Sequence, residues 1–309
     1  MNVLVIYFSQ SGGTKKIARA IHAGLRPLVD RCTLKSLPQV QPRELLEYDV
    51  IALGSAVWGG VPLHVKRFVQ AWPPLRGRHA FTFSTHGAKP ERFFPTMIRL
   101  LNRKGLTVLG ARDWYGSVHH PLLPKPYLTD GHPDEIDLRE AADFGREMAG
   151  VSGRVAAGEK GLIPAIPPMP PPRTLKRPMT RKKLDPSKCR YPECTLCVDH
   201  CRLQVIDLST SPPSFPEKCP PCYFCELICP TGAIEADYQG DAKLETGRAR
   251  AMFIEALDRA EAEGRFRRHV PLEEVGWETP YYLVNRARPR CVVAEAEDEE
   301  TDGGETSLS

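Results

Sequence analysis

The chain has 309 residues, 41% of them hydrophobic and 26% charged, a balance ordinary for a globular protein of about two domains. No run of about 20 apolar residues is present to span a bilayer as a helix, and Met1 to Tyr7 enter an apolar strand pattern directly, without a secretory leader, which predicts a cytoplasmic address. The net charge of +4 hides an asymmetry: residues 295–309 carry seven acids and no base, leaving about +11 for the rest, whose scattered basic residues make a poor nucleic-acid surface.

From residue 1 to 150, apolar runs alternate with amphipathic stretches, the pattern of a doubly wound parallel sheet with helices on both faces. Strands are expected at Val3–Phe8, Cys32–Leu37, Val50–Gly54, His79–Ser84 and Thr107–Ala111. Helices are expected at Lys15–Gly24, Pro62–Trp72, Pro90–Lys104 and Ile136–Gly150. Ligands of such sheets bind outside the carboxyl ends of the strands, so the loops after strands one, three and four carry the interest.

The first of these loops reads Ser9-Gln10-Ser11-Gly12-Gly13-Thr14, followed by a helix. Backbone N–H groups, small hydroxyls and the positive end of that helix make an anion site there. It has neither the G-x-x-x-x-G-K-[ST] of nucleoside triphosphatases nor the G-x-G-x-x-G of dinucleotide binders. It does resemble the [ST]-x-[ST]-G-x-T loop that flavodoxins wrap around the phosphate of FMN, and the resemblance extends over the first 150 residues.

Under that resemblance the second loop, Gly54 to Pro62, holds the flavin ring through Ser55, Ala56, Val57, Trp58 and Gly59, with Trp58 either stacked on the isoalloxazine or simply packed. The third loop, with Thr85, His86 and Gly87, lacks the tyrosine and acidic residues that flavodoxins place on the other ring face, which implies a more open face. His86 either hydrogen-bonds the flavin or a hydride donor or is a solvated loop residue. His119 and His120 are further candidates to border the pocket.

Residues 151–185 form a proline-rich basic linker, expected to be an extended spacer: a mere tether, or a docking strap for an acidic partner or for the cysteine module. Eight of the ten cysteines then fall between Cys189 and Cys229, a clustering that points to metal rather than disulfides. Cys219, Cys222, Cys225 and Cys229, followed by Pro230, reproduce C-x2-C-x2-C-x3-C-P, the bacterial ferredoxin spacing for a four-iron cluster. An internal duplication offset by about 28 residues maps Cys194, Cys197 and Cys201 onto Cys222, Cys225 and Cys229. C-x2-C pairs also serve zinc, although two ferredoxin-spaced sets exceed what zinc needs.

The module, residues 186–238, resembles the small α+β two-cluster [4Fe-4S] ferredoxins, whose halves exchange their fourth ligands. The resemblance implies one cluster on Cys189, Cys194, Cys197 and Cys229 and another on Cys219, Cys222, Cys225 and Cys201. Two departures stand out: Cys189 and Cys194 are four residues apart instead of two, and Arg202 replaces the usual proline. Without Cys189, the first cluster would be a three-iron species. Residues 239–294 carry an expected amphipathic helix, Thr246–Gly264, and an extended cap, Glu273–Val293. The acidic tail, 295–309, is expected to be disordered.

The whole chain resembles the flavodoxin–ferredoxin fusion proteins of anaerobic bacteria and archaea. That resemblance implies an electron-transfer protein exchanging electrons between FMN, two [4Fe-4S] clusters and a protein redox partner; the charge of the basic linker would steer an acidic partner. Two other readings remain: a flavin oxidoreductase reducing a quinone-like small molecule with the clusters feeding the flavin, and a non-redox adaptor with a vestigial flavin loop.

Overall fold

The computed structural model of the protein describes residues 1–171, 180–201, 203–217, 219, 222–238, 247–278 and 289–291. Pro172 to Pro178, Arg202, Tyr281, Tyr282 and the acidic tail lie outside the described residues.

Five strands, β1 (Asn2–Phe8), β2 (Arg31–Ser36), β3 (Val50–Ala56), β4 (His79–His86) and β5 (Thr107–Tyr115), form one sheet in the order β2-β1-β3-β4-β5, every pair parallel. The order reverses between β1 and β3, which opens a crevice at their carboxyl ends. Alternation along β1 sorts its side chains to two cores. Val3 and Val5 face helices α1 (Gly13–Leu25) and α4 (Glu135–Ala156), while Leu4, Ile6 and Phe8 face α2 (Leu63–Gln70) and α3 (Phe93–Arg103). Helices α1 and α4 touch through small residues: a Cβ on Gly24 would lie 2.0 Å from the carbonyl oxygen of Ala142. The sheet is the flavodoxin-like doubly wound five-stranded architecture expected.

Several boundaries differ from expectation. Strand β5 continues through Arg112 and Asp113 to Tyr115, because edge pairing with β4 holds polar residues that read as loop. Helix α4 runs to Ala156 with its apolar face still packed, so its end lies inside the expected linker. The other end of that linker holds β6 (Lys182–Leu184), which pairs antiparallel with β7 (Ile234–Ala236) and therefore belongs to the cysteine module. That module adds two short helices, α5 (Leu196–Asp199) and α6 (Phe224–Ile228).

Helix α7 (Gly247–Ala262) packs on the connection after β5: Leu257, Ala260, Phe266, Val270 and Val275 share a core with Tyr115, Leu123, Tyr127 and Leu128. Polar groups pin the same contact. Asp134, the N-cap of α4, accepts from Arg267 at 2.9 and 2.8 Å and lies 2.9 Å from His269 Nε2, and Arg267 also pairs with the buried Asp137. His132 Nδ1 lies 2.5 Å from Asp137, and its other ring nitrogen is 2.7 Å from the Arg267 carbonyl oxygen. His132, Asp134 and His269 are close enough to hold a metal ion, but the Arg267 guanidinium already fills that role as cation. Residues 290–291 dock on α6 through a buried Arg290–Glu226 pair at 3.0 Å and a Cys291 N–H bond to the Leu227 carbonyl.

Candidate functional site

The crevice at the switch point is a cavity of about 220 Å³. Its floor is the turn from β1 into α1. Gly12 sits there with φ +96°, and its N–H donates to Ser9 Oγ at 3.1 Å, which turns the neighbouring backbone inward ahead of the helix. Thr14 is buried, its Oγ1 2.7 Å from Thr85 Oγ1, so the first loop is bolted to the end of β4. The second loop is tied to the same place by the Val57 N–H bond to the Thr85 carbonyl at 3.0 Å. Trp58 is held edge-on by Phe8 and His64, with ring centroids 5.7 and 5.4 Å away.

Of the residues expected to hold a cofactor, Ser9, Gln10, Ser11, Gly13, Thr14, Ala56, Val57, Trp58, Gly59, Thr85, His86 and Gly87 line this cavity. Gly12 and Ser55 do not; one shapes the turn and the other is buried in β3 with its hydroxyl on the Ala56 carbonyl.

The solvated-loop alternative for His86 does not hold. It is buried at the end of β4, with Nε2 2.7 Å from Asp113 Oδ2, while Nδ1 is buried with no hydrogen-bond partner. Burial works against the Asp113 carboxylate, yet His86, Arg265 and Arg112 around it hold its pKa below the usual range. His119 and His120 both line the cavity. Burial, helped by Lys125, pushes the His119 imidazole down to about 4. The His120 ring meets the Tyr223 ring edge-on at 5.1 Å.

The cavity has further walls besides the three loops. Val118 and Tyr127 from the connection after β5, Phe253 of α7, and Cys222, Phe224 and Leu227 of the cysteine module also line it. Sequence reasoning missed Cys222, Phe224, Leu227 and Phe253 as walls because they come from segments over 100 residues downstream of the three loops, with no local signature of where they dock.

The eight cysteines fall into two neighbouring groups. Cys189, Cys197, Cys225 and Cys229 gather around Ala233 and Ile234. The Cys197 thiol, pushed up to about 11 by burial, also feels Cys229, Cys189 and Cys194. The four-residue gap between Cys189 and Cys194 is taken up by a turn in which the Cys194 N–H bonds the Arg190 carbonyl at 3.0 Å, and Cys189 stays with the group. In the other group the Cys222 thiol is raised mainly by burial and feels Cys219 and Cys201 as neighbours, with the Lys182 ammonium beside it. Cys229 departs from the trend: against burial, hydrogen bonds from Thr231, Ala233 and Ile234 lower its pKa, the Ala233 N–H lying 3.3 Å from its sulfur. Eight soft thiols gathered in this way, with N–H donors on a sulfur, suit iron-sulfur chemistry.

The flavodoxin-domain family model matches residues 4–108. A flavodoxin of Aquifex aeolicus is 29% identical over 175 residues, covering 53% of this chain and 94% of that protein. The N-terminal part of the chain is a flavodoxin-like domain. Over 56 residues the chain is 34% identical to an uncharacterized ferredoxin of Methanocaldococcus jannaschii, covering 18% of this chain and 90% of that one. Among solved structures, a flavodoxin from the domain Archaea matches at 23% identity and a TM-score of 0.40, over 50% of this chain and 99% of that chain. No helix among the described residues is long and apolar enough to cross a membrane.

Proposed function

We propose that the flavodoxin-like domain binds FMN in the switch-point cavity and exchanges electrons with two [4Fe-4S] clusters in the cysteine module, and through them with a protein redox partner. The loop from Ser9 to Thr14 would hold the phosphate, and Ala56 to Gly59 with Thr85 to Gly87 would hold the ring. Cys189, Cys194, Cys197 and Cys229 would carry one cluster, and Cys219, Cys222, Cys225 and Cys201 the other. When bound, FMN supplies a centre that gives or takes two electrons, where each cluster carries one.

One observation supports this reading above the others: the cavity of the flavodoxin-like domain is walled by Cys222 and Phe224 of the cysteine module. The chain's own task is then to hold the centres close and to exclude water between them. A domain division at about residue 160, with β6 counted in the cysteine module, follows from the same reading.

Anaerobic purification with iron, sulfide and flavin counts tests the proposal, alongside a redox titration followed by EPR. The expected result is one FMN and iron and sulfide for two four-iron clusters. Zinc in place of iron, or a chain that takes up no flavin on reconstitution, would refute it.

A further inference from the structure

The two sets of cysteines are not equivalent with respect to the switch-point cavity. A second, smaller cavity lies next to it, lined by Cys201, Cys219, Cys222 and Cys225, and the two share four walls: Gln10, Trp58, Cys222 and Phe224. Gln10 and Trp58 belong to the loops after β1 and β3, so the cavity for one group and the thiols for the other are separated by single side chains. Cys189, Cys194, Cys197 and Cys229 line neither cavity. Around that set Pro192, Glu193, Thr195 and Leu196 are exposed, while Cys225 links the sets by packing with Cys197 and Cys229.

We infer an order for the chain: the site of Cys201, Cys219, Cys222 and Cys225 is the inner one, in contact with the flavin cavity through Cys222, Phe224, Gln10 and Trp58. The site of Cys189, Cys194, Cys197 and Cys229 is the outer one, through which electrons enter or leave. The inference rests on the proposed function and adds the sequence of centres to it. Each transfer along the chain oxidises one centre by one electron and reduces its neighbour by one, and two in succession match the two-electron change of a flavin. Side-chain placement decides the order: an electron crossing at Cys222 passes one shell of protein, whereas one crossing to the outer thiols must pass the inner site as well.

The test uses the full chain in two variants, Cys194→Ala/Cys197→Ala, which retains the inner site, and Cys201→Ala/Cys219→Ala, which retains the outer one. The midpoint potential of the remaining cluster is titrated by EPR with and without FMN, and its relaxation is measured with a soluble dysprosium chelate. The inner site is expected to shift its potential when FMN is loaded and to resist the chelate; the outer site is expected to ignore FMN and relax faster with the chelate. Where a variant loads no cluster, the wild-type chain carries the same test: one of its two iron-sulfur signals should respond to FMN and the other to the chelate. A flavin-sensitive outer site, or two signals alike in both responses, overturns the order. Failure of the proposed function is separate, since it appears beforehand as missing flavin or iron in the wild-type counts.

Discussion

Gly12 holds φ +96°, a region costing an L side chain about 1–2 kcal/mol, so Gly12→Ala is expected to weaken FMN binding about 10-fold while leaving the thermal midpoint within a few degrees. Flavin-fluorescence titration and a melting curve measure the two effects. Lys182 is buried against Cys219, Cys222 and Cys225, and its cation favours the more reduced, more negative state of a cluster there. Lys182→Met should lower that cluster's midpoint by on the order of 50–100 mV, read by EPR titration, with the other cluster unmoved. His119 carries a pH signature. Its imidazole titrates near 4 in the fold and at the ordinary 6.5 when unfolded, so the stability it contributes is complete above pH 6.5. As pH falls toward 4 the unfolded chain takes up a proton that the folded one refuses, and about 3 kcal/mol is lost at most. Denaturant unfolding at pH 7 and pH 5 should show that loss shrink in His119→Asn.

At the scale of elements, the decisive contacts are those between segments distant in sequence. Helix α4 begins at Asp134, whose carboxylate caps its own N-terminus through the N–H groups of Ile136 and Asp137 and also receives Arg267 from beyond α7. Arg267→Ala leaves Asp137, almost fully buried, short of its cation, and about 3 kcal/mol of stability should go with it. Hydrogen exchange should locate the damage in α7 and residues 116–134, with β1 and β3 still protected. A surface ion pair of no structural weight would leave exchange unchanged. The strands and the first loop were legible beforehand, since alternation along β1 and the Ser9–Thr14 motif are local patterns. The buried His86–Asp113 pair, the Arg267 clasp and the Arg290–Glu226 pair were not, because a polar residue in sequence carries no mark of the distant partner that lets it be buried. The β6 strand was hidden for a related reason: three residues in a basic stretch become a strand only because β7 supplies the partner.

At the scale of the molecule, the two halves keep their order by different means. The sheet buries two extensive apolar cores, whereas the cysteine module has only small clusters around Phe224, Leu227 and Ile228 and around Ala233 and Ile234. So small a core would leave the module dependent on the proposed clusters. Removing iron with a chelator under reducing conditions should therefore unfold residues 180–238 first, seen as lost protection there. The flavodoxin-like domain should still melt cooperatively at higher temperature. A single transition unaffected by iron would contradict that division.

The walls of the switch-point cavity run from Ser9 in the first loop to Phe253 in α7. A chain emerging from the ribosome therefore delivers the phosphate loop early and the covering side chains last. Through most of synthesis the cavity lacks one wall, which is completed only once the cysteine module and α7 have folded against it. On the proposed function, assembly of the two kinds of cofactor is thereby coupled: completing the first cavity requires the second module to be in place.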